Sequence, residues 1–171
     1  SVKSPYSERW LSPFRDGQRV WMRISDAGGC GCIDYRVVPV GTGCVPYRLP
    51  LALRSVRRWL LAADYCGHSA VFLSDDDGES WLPADDIVFP PFTGSKTGLQ
   101  EPGVIEKQSG ALWGFYRTDM GFQYETFSMD GGLHWTAAQP SRFTSPVSPM
   151  SMARHASGRL YAVWNPIPEY N

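Results

Sequence analysis

Two eight-residue stretches of the chain share one pattern, Ser-x-Asp-x-Gly-x-x-Trp. The first is SDDDGESW, residues 74–81, and the second is SMDGGLHW, residues 128–135. Each stretch follows an apolar run of strand length and precedes a segment that can form another strand, so each is expected to be a turn between two strands. A repeat of this kind favours folds in which one supersecondary unit recurs along the chain.

The residue types of the repeated pattern have structural roles in a turn. The side chains of Asp76 and Asp130 can accept hydrogen bonds from backbone N–H groups of the turn. The glycine two places later permits a positive φ, and the tryptophan can pack its indole beside the turn. We therefore interpret these aspartates as structural and not catalytic, and we expect their neighbours Asp75 and Asp77 to be solvated.

The segments around the two motifs have the length and composition of short strands separated by turn residues. The predicted strand runs are residues 47–53, 57–65, 70–74, 102–106, 111–117 and 123–128, followed by SPMSMAR and SGRLYAVWN. A weaker third copy of the pattern, at residues 24–31, lacks the correctly placed Asp and the Trp. A period of about 50 residues with about four strands per unit predicts an all-β fold, a β-propeller of four-stranded antiparallel blades.

The length of the chain limits how much of a propeller it can contain. Propellers have about four to eight blades, and 171 residues hold about three blades at this period. We therefore expect a single, partial propeller domain over residues 1–171, as a piece of a longer propeller or, less simply, as a chain that two copies complete. The oligomeric state is left open.

Composition excludes several classes of function. The formal net charge is −1, which gives no support to nucleic-acid binding, and no apolar run approaches the roughly 20 residues of a membrane span. The four cysteines, Cys30, Cys32, Cys44 and Cys66, leave the disulfide state open, and the Cys-Gly-Cys spacing is too short for a zinc knuckle. Because the three histidines lack metal-ligand spacing, we expect neither a metal nor a cofactor.

One hairpin brings a carboxylate and a guanidinium together. If residues 102–106 and 111–117 pair, Glu101 and Arg117 lie nearly opposite each other at the end away from the turn. Arg117 shares a strand face with Trp113 and Phe115, so it is expected to be partly buried and to need an anion. The anion can be Glu101 in a structural salt bridge, or it can be a substrate carboxylate.

The repeated pattern resembles the Asp-box, or bacterial neuraminidase repeat, of the sialidase (neuraminidase) family. Asp-boxes also occur in sortilin-type receptors and other non-sialidases, so they do not identify the enzyme alone. The stretch LQEPGVIEKQSGALWGFYRTDMGFQYETFSMDGGLHW, residues 99–135, is similar to the central part of sialidase-like glycoside hydrolases. The resemblance covers about two thirds of the chain, to which residues 1–45 add little, and it implies a six-bladed propeller.

The resemblance also implies roles for four residues. Glu101 matches the general base that activates a tyrosine nucleophile, and Arg117 matches one of the arginines that hold the carboxylate of sialic acid. Gln123 and Tyr124 match residues that contact sugar hydroxyls, although a plain strand role fits them equally well. The implied activity is retaining cleavage of terminal sialic acid, or a related acidic sugar, from a glycan.

Other parts of a sialidase site have no match in this chain. An early Arg, the acid/base Asp, a late Arg and the Tyr nucleophile are missing from the pattern, and we interpret Tyr116 and Tyr161 as core or pocket lining. The alternative is therefore a non-catalytic propeller that binds a glycan or a protein. Sialidases are often exported, but no export signal is visible in SVKSPYSERW, so the compartment is left open.

Overall fold

The computed structural model describes residues 1–26 and 35–167, and their strands are numbered in chain order. The first sheet contains β1 (Val2–Lys3), β2 (Trp10–Asp16), β3 (Arg19–Ser25) and β4 (Tyr35–Thr42). The second contains β5 (Leu51–Ala52), β6 (Trp59–Tyr65), β7 (His68–Ser74) and β8 (Leu82–Pro83). The third contains β9 (Gln100–Glu106), β10 (Leu112–Arg117), β11 (Phe122–Ser128) and β12 (Gln139–Thr144). A last pair is formed by β13 (Ser151–Arg154) and β14 (Leu160–Val163).

The sheets are successive blades of a propeller. Each of the three four-stranded sheets is a meander in which every strand pairs antiparallel with the next strand of the chain. β13 and β14 pair in the same way and pack beside β9, in the position of a further blade. The predicted all-β propeller of four-stranded antiparallel blades is therefore confirmed, although the strands of the first blade were not predicted.

Two sequence predictions are changed in detail. The run 47–53 was predicted as one strand, but only Leu51–Ala52 pairs, and an isolated bridge joins Val45 to Asp64. The third copy of the repeated pattern lies mainly in residues 27–34, outside the described residues. The chain contains no helix, within the part that the structure describes, of the length and apolar character that crossing a bilayer requires.

Burial of β6 on both faces explains its unbroken apolar sequence, WLLAADY. Trp59, Leu61 and Ala63 pack into a core shared with the first blade. Leu60 and Ala62 point the other way, into a core shared with the third blade. A strand that lies between two packed layers has no solvent face, so it needs apolar residues at successive positions.

The two Asp-boxes have the predicted turn structure, and they join the third and fourth strands of their blades. Ser74 Oγ accepts a hydrogen bond from Gly78 N at 2.8 Å, and Ser128 Oγ accepts one from Gly132 N at 2.9 Å. Asp76 accepts from Ser80 N at 2.9 Å. In the second box, Asp130 accepts hydrogen bonds from Leu133 N and His134 N. In both boxes the tryptophan indole N–H donates to the carbonyl of the box glycine, Trp81 to Gly78 and Trp135 to Gly132. Both glycines have positive φ, +91° and +95°.

The prediction that Asp77 is solvated was wrong. Asp77 is 4% exposed, and its carboxylate accepts hydrogen bonds from Ser4 Oγ, Ser7 Oγ and Trp59 Nε1. The bonds from Ser4 and Ser7 dock the first Asp-box onto the first blade, whereas Trp59 belongs to β6 in the same blade as the box. The turn itself points Asp77 inward, with φ +58°. By contrast, the Asp75 side chain is 61% exposed and pairs with Arg58, close to the expectation.

Opposite the Asp-boxes lies the end of the blades that we call the mouth. It consists of the turns between the second and third strands, at residues 17–18, 66–67 and 118–121, and of the segments 43–50 and 88–99, which lead into β5 and β9. Backbone hydrogen bonds from Leu99 N to Gly67 O and from Val45 N to Asp64 O join these segments to the turn of the second blade.

Candidate functional site

A β-bulge at the mouth positions Glu101. In the β9–β10 ladder, Gly103 pairs with Phe115 and Gln100 pairs with Arg117. Two residues of β9, Glu101 and the proline after it, therefore lie opposite one residue of β10, which is the definition of a bulge. The prediction that Glu101 and Arg117 lie nearly opposite each other agrees with this register, in which the direct partner of Arg117 is Gln100 and Glu101 is the next residue.

The bulge also holds Glu101 in an unusual backbone conformation. Its φ is +48°, in the left-handed region that residues with a Cβ rarely adopt. Such conformations cost about 1–3 kcal/mol and persist where the surrounding structure enforces them, often at functional sites. Here the conformation aims the Glu101 side chain at the end of β10.

Glu101 and Arg117 form an ion pair, as the hairpin predicted. Arg117 Nη1 donates to Glu101 Oε1 at 2.6 Å, and Arg117 Nη2 donates to Gln100 Oε1. The two charged side chains are 21% and 23% exposed, so the pair is partly withdrawn from water. Arg117 Nε is buried and has no hydrogen-bond partner among the described residues, so this guanidinium has unused donor capacity.

A second carboxyl group, Asp64 at the end of β6, lies beside the pair. It accepts hydrogen bonds from Gly67 N at 3.0 Å and from the backbone N–H of Glu101. Burial raises the pKa of Asp64, while these bonds and the charge of Arg117 act in the opposite direction. Asp64 is 7% exposed, and reasoning from the residues alone assigned it no role.

A cleft opens at the mouth next to these residues. Its volume is about 600 Å³, and its wall includes Arg15, Tyr47, Asp64, Lys96 and Gln100. Gln100 lines the cleft and accepts a hydrogen bond from Arg117, so the ion pair lies directly behind this part of the wall, although neither Glu101 nor Arg117 lines the cleft itself. Cavities of this size are ordinary for small-ligand sites.

Arg48 is a further cation at the mouth that sequence reasoning missed. It lies in the segment that enters β5, and its guanidinium reaches across to Met150 O at 2.5 Å and Ser151 Oγ at 3.0 Å. It also stacks over the Phe115 ring at 5.3 Å from the centroid. The one signal in the sequence is a charged residue inside the otherwise apolar run YRLPLAL.

The structure places Gln123 and Tyr124 inside the protein. Gln123 is completely buried and donates from Nε2 to Ser145 Oγ at 2.8 Å and Ser148 O at 2.7 Å. Tyr124 is 7% exposed and packs edge-on against Phe92. Their contact with sugar hydroxyls stays a prediction, and both side chains lie behind the surface of the mouth in this conformation.

The remaining predicted groups do not converge on the mouth as a set. Tyr116 is 1% exposed in the core between the second and third blades, whereas Tyr161 is 53% exposed on β14. Cys44 and Cys66 are free thiols, while Cys30 and Cys32 lie outside the described residues. Over residues 1–26 and 35–167, no group of three or more His, Cys, Asp or Glu side chains is arranged to hold a metal ion.

Solved structures with the same fold include bacterial sialidases. The chain superposes on the K499G mutant of NanB sialidase from Streptococcus pneumoniae with a TM-score of 0.64 and 22% identity, over 81% of this chain and 22% of that one. For the intramolecular trans-sialidase from Ruminococcus gnavus, the TM-score is 0.59 and the identity 20%, over 81% of this chain and 30% of that one.

A third match is a protein of unknown function from Dyadobacter fermentans, with a TM-score of 0.59 and 20% identity over 88% of this chain and 46% of that one. The chain thus spans less than half the length of each of these structures. At these identities the likeness shows the sialidase-type propeller fold.

The comparison with protein families is more specific. No curated protein matches the sequence significantly. The profile of the BNR repeat-like domain matches residues 46–170, which contain both Asp-boxes, Glu101 and Arg117. This match covers well over half of the sequence, and the chain therefore belongs to the BNR repeat-like domain family.

Proposed function

We propose that this chain carries part of the active site of a sialidase-like glycoside hydrolase, which cleaves a terminal sialic acid or a related acidic sugar from a glycan with retention. The observation that carries the proposal is the Glu101–Arg117 pair behind Gln100, a residue of the cleft wall, with a strained backbone at Glu101 and an unpartnered Nε at Arg117 among the described residues. The sialidase-type fold of the neighbouring structures supports it.

Arg117 is suited to bind the carboxylate of an acidic sugar. A guanidinium stays charged at all accessible pH values and can give a carboxylate two parallel hydrogen bonds. Its present partners are the Glu101 carboxylate and the neutral Gln100 side chain, so an arriving carboxylate can share the guanidinium or displace the weaker, neutral partner. Burial of part of the side chain strengthens this electrostatic attraction.

Glu101 is suited to act as a general base. A carboxylate nucleophile would be repelled by the carboxylate of the sugar, and sialidases use a tyrosine nucleophile instead. A phenol with a pKa of about 10 needs a neighbouring base to become reactive. Tyr116 does not suit this role, because its burial raises the pKa of its phenol further and keeps it inside the core.

The test is turnover of a fluorogenic sialoside by the full-length protein. We expect kcat/KM to fall by about 10²-fold or more in Glu101→Gln and in Arg117→Ala, since each removes a group that acts on the reacting sugar. The matched control is Arg54→Ala at the Asp-box end, where Arg54 also pairs with a glutamate, Glu106. That variant should keep wild-type turnover.

Two outcomes would contradict the proposal in different ways. Unchanged turnover in both mouth variants would remove Glu101 and Arg117 from the mechanism. A wild-type protein without turnover that still binds a sialylated glycan, with binding lost in Arg117→Ala, would favour the non-catalytic binding propeller.

A further inference from the structure

We propose that the cleft at the mouth binds a second anionic group, a sulfate ester or the carboxylate of a second acidic sugar, on the glycan whose terminal sugar binds Arg117. The inference rests on the proposed function for the identity of the glycan. It assigns a role to two cations of the cleft wall, Arg15 and Lys96, that the proposed mechanism does not use.

The wall of the cleft is built from four segments that are far apart in sequence. They are β2 with its turn, the segment 43–50, the end of β6 with its turn, and the segment that leads into β9, and they contribute Arg15, Gln18, Tyr47, Tyr65, Lys96 and Gln100. Hydrogen bonds from Gly43 N to Gln18 O and from Leu99 N to Gly67 O, both 2.7 Å, join these segments in pairs. The assembled blades therefore bring aromatic, amide and charged side chains together, as ligand sites do.

The cleft has an excess of positive charge. Arg15 and Lys96 are exposed, and over residues 1–26 and 35–167 neither forms an ion pair with a carboxylate. The carboxyl group that lines the described part of the wall, that of Asp64, is 7% exposed and accepts a hydrogen bond from Gly67 N at 3.0 Å. Because a cleft with a surplus of one charge concentrates ligands of the opposite sign, this cleft favours an anion.

The loop that carries Lys96 is held by Asp119, in the turn between β10 and β11. Asp119 accepts hydrogen bonds from Lys96 N at 2.7 Å, from Thr97 Oγ1 at 3.3 Å and from Ser95 Oγ. The carboxylate is thus bonded to backbone and hydroxyl groups of the loop and forms no ion pair with the Lys96 ammonium group. The backbone of the loop is fixed, while the ammonium group stays available to a ligand.

Two exposed tyrosine rings line the same cleft. Tyr47 is 52% exposed and Tyr65 is 42% exposed. A Cβ on Gly43 would lie 2.9 Å from Tyr65 Cε2, so the Tyr65 ring packs closely against the backbone there. Since the apolar face of a sugar can pack on an aromatic ring whose polar end reaches water, these rings beside two cations favour a charged sugar over an inorganic anion.

Gln100 connects the cleft to the proposed site of the terminal sugar. Its side chain lines the cleft and accepts a hydrogen bond from Arg117 Nη2. A terminal sugar whose carboxylate displaces Gln100 from Arg117 therefore lies next to the cleft, and the following unit of the glycan extends into it. The terminal carboxylate uses Arg117, so Arg15 and Lys96 remain free for a second anionic group.

The first experiment measures the binding of lactose 6′-sulfate and of lactose to the full-length protein by NMR titration at low ionic strength. Neither probe has a terminal acidic sugar, so neither depends on Arg117. We expect the sulfated probe to bind about tenfold more tightly, and this advantage to fall below about twofold in the double variant Arg15→Met, Lys96→Met.

Two further variants are controls for the charge. Lys96→Arg keeps the cation and should keep most of the advantage of the sulfated probe. Lys107→Met removes a lysine that lies over the Trp113 ring, far from the cleft, and should also keep it. Equal binding of the two probes by the wild-type protein, or an unchanged advantage in the double variant, would overturn the inference. Inorganic sulfate that binds as tightly as lactose 6′-sulfate would overturn it too, because the site would then not recognise a sugar.

A second experiment identifies the source of the anion and separates this inference from the proposed function. It compares kcat/KM of the full-length protein for sialyllactose, for the same trisaccharide with a sulfate ester on galactose, and for disialyllactose. A preference for the sulfated substrate assigns a sulfate ester, and a preference for disialyllactose assigns a second acidic sugar. Either preference should be lost in the double variant but not in Lys107→Met.

The remaining outcomes count against one proposal or the other. Turnover of both charged substrates that is no better than that of sialyllactose would overturn the role of the cleft. Absence of turnover of all three substrates in the wild-type protein would count against the proposed function, whereas the titration with lactose 6′-sulfate would still decide whether the cleft binds an anionic sugar.

Discussion

The two ends of the blades use polar residues in opposite ways. At the Asp-box end, Ser128 and Asp130 are bonded to backbone or side-chain groups of their own turn, and the buried Asp77 has three donors. At the mouth, Glu101 has a strained φ, and buried atoms of Arg48 and Arg117 lack hydrogen-bond partners in the described part of the chain. One end therefore stabilises the fold, and the other holds unsatisfied groups.

This difference shows where the chain concentrates stability and where it concentrates function. Buried polar groups without partners and strained backbone both cost free energy, so they persist where another requirement maintains them. Substitutions at the Asp-box end should lower stability and leave sugar turnover unchanged, whereas substitutions of Glu101 and Arg117 at the mouth should lower sugar turnover. Three substitutions test the first half of this statement.

The largest loss of stability is expected from Gly132→Ala in the second Asp-box. An alanine Cβ there would lie 2.9 Å from Leu60 Cδ1 and 3.2 Å from Leu73 Cδ2, and φ is +95°. Strain and overpacking together should lower the free energy of unfolding by about 3 kcal/mol, measured by urea denaturation. Turnover per folded molecule should not change.

Gly121→Ala is the matched control at the mouth. Gly121 also has a positive φ, +80°, but an alanine Cβ there would meet no described atom within 4 Å. The free energy of unfolding should therefore fall only by the cost of placing alanine in a left-handed backbone conformation, about 1 kcal/mol. Equal losses for the two alanine variants would show that the packing of the Asp-box onto the second blade adds nothing.

A smaller loss is expected from Asp77→Asn. Asparagine tolerates the left-handed φ, so the substitution removes the charge while it keeps the backbone. Weaker hydrogen bonds from Ser4, Ser7 and Trp59 should lower the free energy of unfolding by about 1–2 kcal/mol in a urea titration. The control is Asp75→Asn, at a mostly exposed neighbour, which should lower the free energy of unfolding by less than about 1 kcal/mol. A larger loss for Asp75→Asn than for Asp77→Asn would contradict the structural role of Asp77.

The smallest effect concerns acid stability. Burial acts to raise the pKa of the Asp130 carboxyl group, but hydrogen bonds from the His134 backbone and ring and from Ser128 outweigh burial and lower this pKa to about 2. Because an unfolded aspartate has a pKa of about 3.9, the ionised side chain stabilises the fold fully above about pH 4, and this contribution is lost as the pH falls towards 2.

Asp130→Asn should therefore flatten the fall in unfolding free energy between about pH 4 and pH 2, as measured by urea denaturation at each pH. The Asp130 side chain is 40% exposed, so the difference should stay below about 1 kcal/mol. Parallel curves for Asp130→Asn and the wild-type protein would contradict the assignment.

Local sequence rules predicted the Asp-box end well. Within the turn, the hydrogen bonds of Ser128, Asp130, Gly132 and the Trp135 indole join residues close in sequence, so this part of their role can be inferred from the motif alone. The same rules failed at Asp77, because its partners in the first blade lie about 70 residues away in sequence, and no local pattern shows that packing.

The mouth could be predicted only in part. The hairpin placed Glu101 and Arg117 nearly opposite each other, as observed, but a bulge at a non-glycine residue has no clear sequence signal, so the direct pairing of Arg117 with Gln100 was not predicted. Arg48 reaches its partners across a gap of about 100 residues in sequence, and only the assembled blades reveal it. The strands of the first blade were missed because their alternating, mixed composition contains no long apolar run.

The central claim is that an acidic sugar binds at the mouth through Arg117. Its most direct test is a crystal structure of the full-length protein carrying Glu101→Gln, which should trap an intact substrate, soaked with a sialylated trisaccharide. The account predicts the carboxylate of the sugar within about 3 Å of the Arg117 guanidinium, bonded by two parallel hydrogen bonds. A bound sugar whose carboxylate points away from Arg117, or one that binds at the Asp-box end, would contradict it.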